Sequence, residues 1–270
     1  PSSHAEISIA AMKAGKHVLC EKPLARTVEE AEEMIATAKS CHVKLKCGFN
    51  HRHHPAIWKA KQLLDEGKLG SPMFARCRYG YIGRQGYEKE WRADPAYVSG
   101  GQLMEQGIHA LDLFRWFLGD FDQVAGITST NYWTTQPFED NAFVLLRRGD
   151  GVVASLHSSM TQWRNLFHFE IFGQEGYVSV EGLGGSYGTE QLRLARRDFS
   201  RPFSEEVTDY RGEDHSWFEE WKEFVTAIEE DREPIGNGKD GLEALKLVYA
   251  VYESSKSGLI VDVNHSRKTK

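Results

Sequence analysis

A short strand-like run that stops on an acid, a base and a proline constrains this chain more than any other stretch. His17-Val18-Leu19-Cys20 is apolar and β-branched, and Glu21-Lys22-Pro23 ends it. Upstream, Ile7 to Ala14 carries apolar residues at helical spacing and closes on Gly15. Downstream, Thr27 and Glu30 form a capping box, and Ala31, Met34, Ile35 and Ala38 mark one face of a second helix. A second apolar strand is predicted from Val43 to Phe49. Helix, strand, helix, strand in short connections requires a right-handed crossover, so the two strands lie parallel in one sheet. Ligands of such open sheets bind beyond the carboxyl ends of the strands. That places Glu21-Lys22-Pro23 and Asn50-His51-Arg52 at a binding edge. Two parallel strands alone do not make a stable sheet, and the first helix needs a strand to pack on. The chain therefore reads as a fragment, with its first strands outside this sequence.

Beyond Phe49 the texture changes. A helix is predicted over Pro55 to Leu64, then a strand over Met73 to Tyr81, with Phe74, Arg76 and Arg78 on one side and Met73, Ala75, Cys77 and Tyr79 on the other. Gly83 to Gly101 is a long loop rich in Gly, aromatic and charged residues, and such loops are candidate lids or binding segments. After a helix from Leu103 to Leu118 come closely spaced strands at Gln123–Tyr132, Asn141–Leu146, Val152–Ser158, Phe167–Phe172 and Tyr177–Val180, with a further candidate at Gln191–Ala195. Short hairpin connections, such as Arg147-Arg148-Gly149-Asp150-Gly151, imply a mostly antiparallel sheet. Helices at Ser216–Glu230 and Gly241–Ser255, a strand at Leu259–Val263 and a polar, frayed tail at His265–Lys270 complete the pattern.

The helix from Leu103 carries a polar stripe. At about 100° per residue, Glu105, His109 and Asp112 project within one narrow sector, and apolar side chains cover most of the rest. A helix apolar nearly all round is buried, and a buried acid–imidazole–acid stripe is costly without partners or a task. In the functional reading the stripe lines a site. In the structural reading Asp112 orients His109, and Glu105 pairs with Arg78 or Arg115. No local spacing supplies a third ligand beside Glu105 and His109, so no metal site is expected. His51-Arg52-His53-His54 reads as a loop with one useful residue. Lys22 gains weight from its place at the binding edge, where a bound ligand would desolvate it.

Several function classes drop out on composition. With Lys+Arg 33 against Asp+Glu 39, a net charge of -6 offers no basic surface for nucleic acid. No apolar run reaches membrane-spanning length. Cys20, Cys41, Cys47 and Cys77 show no C-x-x-C spacing and read as free thiols in a reducing cytoplasm.

Taken together, these motifs resemble the glucose-fructose oxidoreductase and inositol dehydrogenase family of NAD(P)-dependent oxidoreductases. The resemblance rests on Pro1-x-x-His4, Ala14-Gly15-Lys16-His17-Val18-Leu19-Cys20-Glu21-Lys22-Pro23-Leu24, Gly48-Phe49-Asn50-x-Arg52 and Gly101-x-Leu103-x-Glu105-x-Gly107-x-His109-x-x-Asp112. Phe224-Val225-x-Ala227-Ile228 and Glu253-Ser254 before Gly258 extend it to nearly the whole chain. It implies an α/β fold: residues 1–49 the remainder of a nucleotide-binding Rossmann domain, and 50–264 a substrate-binding domain with a large, mostly antiparallel open sheet that mediates homo-oligomer contacts. It implies Lys22 as active-site lysine, His109 as a catalytic or substrate-binding histidine, and Glu105 at a position commonly Asp. Pro1, His4, Glu21, Lys22, Pro23, Asn50 and Arg92 match positions that line the dinucleotide. The family's phosphate loop, and the residue that selects NAD or NADP, would precede Pro1, so the chain as written is expected to bind cofactor weakly or not at all.

The implied reaction is oxidation of a secondary alcohol of a sugar, sugar nucleotide or cyclitol. Lys22 and His109 share the proton work and Glu105 sets their charge; as coupled groups, they leave the base unassigned. Gln162-Trp163-Arg164 is a candidate substrate contact, with Trp163 equally suited to the core. An NAD-dependent, redox-neutral glycosidase and a non-catalytic dinucleotide-binding relative are the competing classes.

Overall fold

The computed structural model describes residues 1–135, 137–200 and 204–263. The frayed tail expected at His265–Lys270 lies outside them. Helix α1 (His4–Lys13), strand β1 (Val18–Glu21), helix α2 (Val28–Ser40) and strand β2 (Leu45–Gly48) form the expected crossover. The two strands pair in parallel, Cys20 beside Cys47 and Glu21 beside Gly48. Thr27 caps α2, its side chain accepting from the Glu30 amide as the capping box requires. Strand β2 is buried at every position because its free edge is covered: Cys47 N–H donates to the Gly236 carbonyl at 2.8 Å.

After α3 (Pro55–Asp65), nine strands build one sheet: β3 (Pro72–Gly80), β4 (Gln123–Ser129), β5 (Asn141–Arg147), β6 (Val153–Ser159), β7 (Leu166–Gly173), β8 (Gly176–Glu181), β9 (Glu190–Arg196), β10 (Glu206–Tyr210) and β11 (Val261–Asp262). The order is β10-β9-β8-β7-β3-β6-β5-β4-β11, antiparallel throughout except for β3 against β6. Helices α3, α4 (Ile108–Leu118) and α6 (Gly238–Ser257) cover one face; α5 (Ser216–Glu229) packs on the turn after β2. Asn237 caps α6 with its side-chain oxygen, which starts that helix three residues before the expected Gly241. Strand β4 stops at Ser129 instead of continuing to Tyr132, because the Asp140 carboxylate takes the amides of Asn131, Tyr132 and Trp133 at 3.0, 2.8 and 3.0 Å. One hydrophobic core runs from Met12 and Met34 under the small sheet to Phe114, Phe167 and Val180 under the large one.

The opposite face of the large sheet is open. Ile127, Phe143 and Leu145 are 69%, 48% and 55% exposed there, along a trough of about 820 Å³. Monomer surfaces rarely leave so many large apolar side chains contiguous.

Candidate active site

Two turns build the site. The first is the 3₁₀ turn Asn50–His53, which follows the carboxyl end of β2 directly. Gly48 keeps that end open: an added Cβ there would stand 3.1 Å from the Glu21 carboxylate oxygen. The second is a π-helical turn, Leu103–Gly107, ahead of α4. Buried Glu139 caps it, accepting from the Gly101 and Leu103 amides at 3.1 and 2.8 Å and from the Tyr252 hydroxyl at 3.0 Å. An added Cβ at Gly101 would lie 2.2 Å from the Glu139 carbonyl oxygen, so only glycine fits at this approach.

The wider turn breaks the uniform helical projection expected from Leu103 to Leu118. Glu105, His109 and Asp112 consequently face three different sets of partners. Glu105 turns to the end of β1: Lys22 Nζ donates to its carbonyl and lies 3.9 Å from its carboxylate, with the two side chains 16% and 15% exposed. Arg92, from the long loop, approaches the same carboxylate at 3.8 Å. Glu105 therefore pairs with neither Arg78 nor Arg115; Arg78 contacts His168, and Arg115 contacts Asp120 and Asp240. Asp112 does not orient His109 either. It holds Arg52 in a two-bond grip, Nε to Oδ2 at 2.7 Å and Nη2 to Oδ1 at 2.5 Å, with both side chains buried. A carboxylate so matched to a guanidinium fork is committed.

His109 is buried and stacked on His51, ring centroids 3.9 Å apart at 14°, with Phe49 against its edge. Its Nδ1 is buried without a hydrogen-bond partner. Burial, and after it His51 and Lys22, hold its pKa well below the ordinary imidazole value. The run His51-Arg52-His53-His54 is a turn in which every side chain is buried and engaged, not a loop with one useful residue. Besides the His51 stack and the Arg52 pair, His53 meets Lys46 and His54 meets Glu190, the latter at 3.1 Å.

Between these turns lies a cavity of about 270 Å³, lined by Glu21, Lys22, Asn50, His51, Gln106 and His109, and closed by Tyr79, Ser186, Tyr187, Asp214 and Trp217. Of the residues singled out in the sequence, Glu21, Lys22, Asn50 and His109 line it. Glu105 and Arg92 stand behind Lys22. His4 Nδ1 donates to the Pro23 carbonyl, 2.8 Å away, so it and Pro1 flank the Pro23 side of the edge. Trp163 is 54% exposed and packs edge-to-face on Tyr132, so it belongs to neither the core nor this cavity. Tyr187 and Trp217 were not expected: they arrive from a loop and from α5, and no local pattern marks them. Among the described residues, no three His, Cys, Asp or Glu side chains are grouped to hold a metal ion.

A charged layer underlies the edge. Lys46, fully buried in β2, donates to the Ile235 carbonyl and to Glu223. Nearby Glu220 is buried, with one carboxyl oxygen unpartnered, and burial pushes its pKa up to about 8 against the pull of Lys46. The folded state thus binds this proton more tightly than the unfolded chain, whose value is 4.5. Stability from this group is present at low pH and is lost as pH rises between those two values, by about 1.4 kcal/mol per pH unit crossed. Glu220→Gln is expected to raise the melting temperature at alkaline pH more than at acidic pH; an equal shift at both would contradict it.

The comparisons with known proteins agree with this layout. Residues 1–49 match the model of the oxidoreductase family with NAD-binding Rossmann fold, and residues 57–179 that of the GFO/IDH/MocA C-terminal domain. The 1,5-anhydro-D-fructose reductase of Ensifer adhaerens is 28% identical over 263 residues, 96% of this chain and 76% of that protein. Levoglucosan dehydrogenase of Pseudarthrobacter phenanthrenivorans is 28% identical over 91% of this chain and 64% of that protein. A solved levoglucosan dehydrogenase in complex with NADH and L-sorbose superposes with a TM-score of 0.87 at 27% identity, covering 97% of this chain and 77% of that one.

Proposed function

Because this chain belongs to the GFO/IDH/MocA family of oxidoreductases, we propose that it moves hydride between a secondary alcohol of a sugar, sugar nucleotide or cyclitol and NAD or NADP. The observation that carries the reading is the meeting of Lys22 with Glu105, 83 residues apart in sequence, beside His109 at the carboxyl ends of β1 and β2. Residues 1–49 are the cofactor side of the site and 50–264 the substrate side.

The residues present fit the nicotinamide end of a dinucleotide. Glu21 and Lys22 face the cavity from the end of a parallel strand, and Asn50, its side chain held by Ser216 at 2.9 Å, keeps a free N–H for a ligand. Bound there, the nicotinamide supplies the hydride acceptor or donor. The chain's own residues do the rest. Lys22 stands where the hydroxyl proton must go, His109 meets the oxygen, and Glu105 with Arg92 behind it fixes the position of the Lys22 side-chain nitrogen. Pro1, His4 and Pro23 shape the edge beside it, and Trp217 and Tyr187 offer faces to a sugar ring.

The open sheet face is the homo-oligomer interface in this reading, on the strength of its exposed Ile127, Phe143 and Leu145. Leu145→Glu is expected to dissociate the assembly in sedimentation experiments; an unchanged sedimentation coefficient would contradict this. The free thiols Cys20, Cys41, Cys47 and Cys77 support a cytoplasmic location.

The test uses the protein at its full natural length, with NAD and NADP, against a panel of sugars, nucleotide sugars and inositols. Reduced-nicotinamide absorbance should grow with one substrate class. No signal on any polyol, from protein shown by calorimetry to bind the dinucleotide, would overturn the reading.

A further inference from the structure

We propose that His51 is a positioning residue that keeps His109 uncharged, its proton on Nε2 toward the cavity, and so leaves Lys22 as the group that takes the substrate's hydroxyl proton. This deepens the reading above and rests on it for the identity of the substrate.

The argument begins with Asn50. Its side-chain N–H donates to Ser216 Oγ at 2.9 Å, so its oxygen is the atom turned to His51 Nδ1, 3.1 Å away. His51 Nδ1 must then carry the proton, and Nε2 accepts from the Tyr79 hydroxyl at 3.0 Å. Both nitrogens are used, so the ring is neutral and cannot turn. Lying 3.9 Å from His109 and nearly parallel, it presents a face and no lone pair.

His109 Nδ1 is buried against that ring with no acceptor in reach. A proton there would be an unpaired buried donor, the costlier of the two tautomers. Nε2 therefore holds it. Charging the ring would protonate both nitrogens with no counter-ion to meet the charge. Asp112, on the same helix, is held by Arg52; Glu105 faces Lys22 and Arg92; Tyr79, from β3, is spent on His51. Lys22 and His54 oppose a charge on the ring, and of the carboxylates that line the same cavity, Glu21 and Asp214, neither reaches its Nδ1. Burial and these neighbours hold the His109 pKa well below its usual value.

An Nε2–H gives a hydrogen bond and cannot accept a proton. In the oxidative direction Lys22, having first released its own ammonium proton to water at the cavity, takes the O–H proton; a nicotinamide bound beside the carbinol carbon would accept its hydrogen as hydride, leaving the C–O bond a carbonyl. His109 donates to that oxygen throughout and its protonation is unchanged.

Two measurements on the full-length protein decide this. Nitrogen-15 NMR of histidine-labelled protein, with the His109 signals assigned by their loss in His109→Gln, should show a neutral Nε2–H ring from about pH 5.5 to 8.5. In His51→Asp, confirmed folded by circular dichroism, a carboxylate faces Nδ1 and the same signals should titrate in that range; His51→Asn, whose amide oxygen should draw the proton to Nδ1, serves if the aspartate variant fails to fold. An imidazolium or an Nδ1–H ring in the unmodified protein would overturn the proposal. In kinetics, His109→Gln, which keeps an N–H, should retain kcat within about tenfold, while His109→Ala loses about a hundredfold. Equal loss in both would make His109 the base and refute the division of roles. The NMR result needs no turnover: a neutral Nε2–H ring in a protein inactive on every polyol would leave the His51 assignment standing and sink only the dehydrogenase reading.

Discussion

Lys22→Ala is expected to lower kcat/KM by about 10²–10⁴, the usual weight of a positioned proton-transfer group, with almost no change in melting temperature. The separation of the two effects follows from the site. Lys22 is partly exposed, and its ion pair with Glu105 spans 3.9 Å, so its loss costs the fold on the order of 1 kcal/mol or less. The reaction, by contrast, finds no second lysine among the described residues that line the cavity, and Lys46 in β2 is buried and bound to Glu223 and the Ile235 carbonyl. Lys22→Arg should not rescue activity, because a guanidinium stays charged and cannot accept the proton. Steady-state kinetics beside thermal melts would check both variants. A loss under about tenfold in Lys22→Ala, or activity in Lys22→Arg, would remove Lys22 from the proton path.

Asp112→Ala is expected to act in the opposite way, destabilising the fold by about 3–5 kcal/mol, because it strands a buried guanidinium. Arg52 is 2% exposed and Asp112 fully buried, and the pair ties the turn after β2 to the middle of α4. Asp240, at 3.2 Å from the guanidinium, is 26% exposed and replaces only part of the lost charge. The ring of Trp116, 5.3 Å from the guanidinium carbon, packs on Arg52 but cannot neutralise it. Replacing both partners, Arg52→Met with Asp112→Leu, should recover much of the loss, since two apolar residues leave no unpaired charge. Urea denaturation of the three variants would measure this. A single-variant loss under about 1 kcal/mol would show that water or Asp240 satisfies Arg52.

The sequence carried the small sheet well. Glu21-Lys22-Pro23 and Asn50 could be placed at one sheet edge because crossover handedness and strand period leave few alternatives, and Glu21, Lys22 and Asn50 line the cavity. The large sheet was legible wherever strands alternate. Strand β10, Glu206–Tyr210, was missed because it is an exposed edge strand of polar residues with no buried face to impose a period. The polar stripe was half legible: Glu105 and His109 do meet the site, but the π turn at Leu103–Gly107 redirects Glu105, and no periodicity encodes that turn. Its cause is Glu139, a residue 34 positions beyond Glu105 in sequence, gripping two amides from another loop. His51 stood in the edge motif yet was passed over, because a histidine beside Arg52 and two more histidines offers no local sign of which one stacks on His109.

The most direct measurement of the central claim follows the hydride itself. The full-length protein, given its preferred polyol carrying deuterium on the carbinol carbon, should produce reduced nicotinamide with one deuterium at C4 in step with each ketone or lactone formed, as mass spectrometry would read. Retention of that deuterium in the product, with the cofactor returned unreduced, solvent hydrogen on the neighbouring carbon and a glycosidic bond cut, would contradict the dehydrogenase account and make the chain a redox-neutral glycosidase.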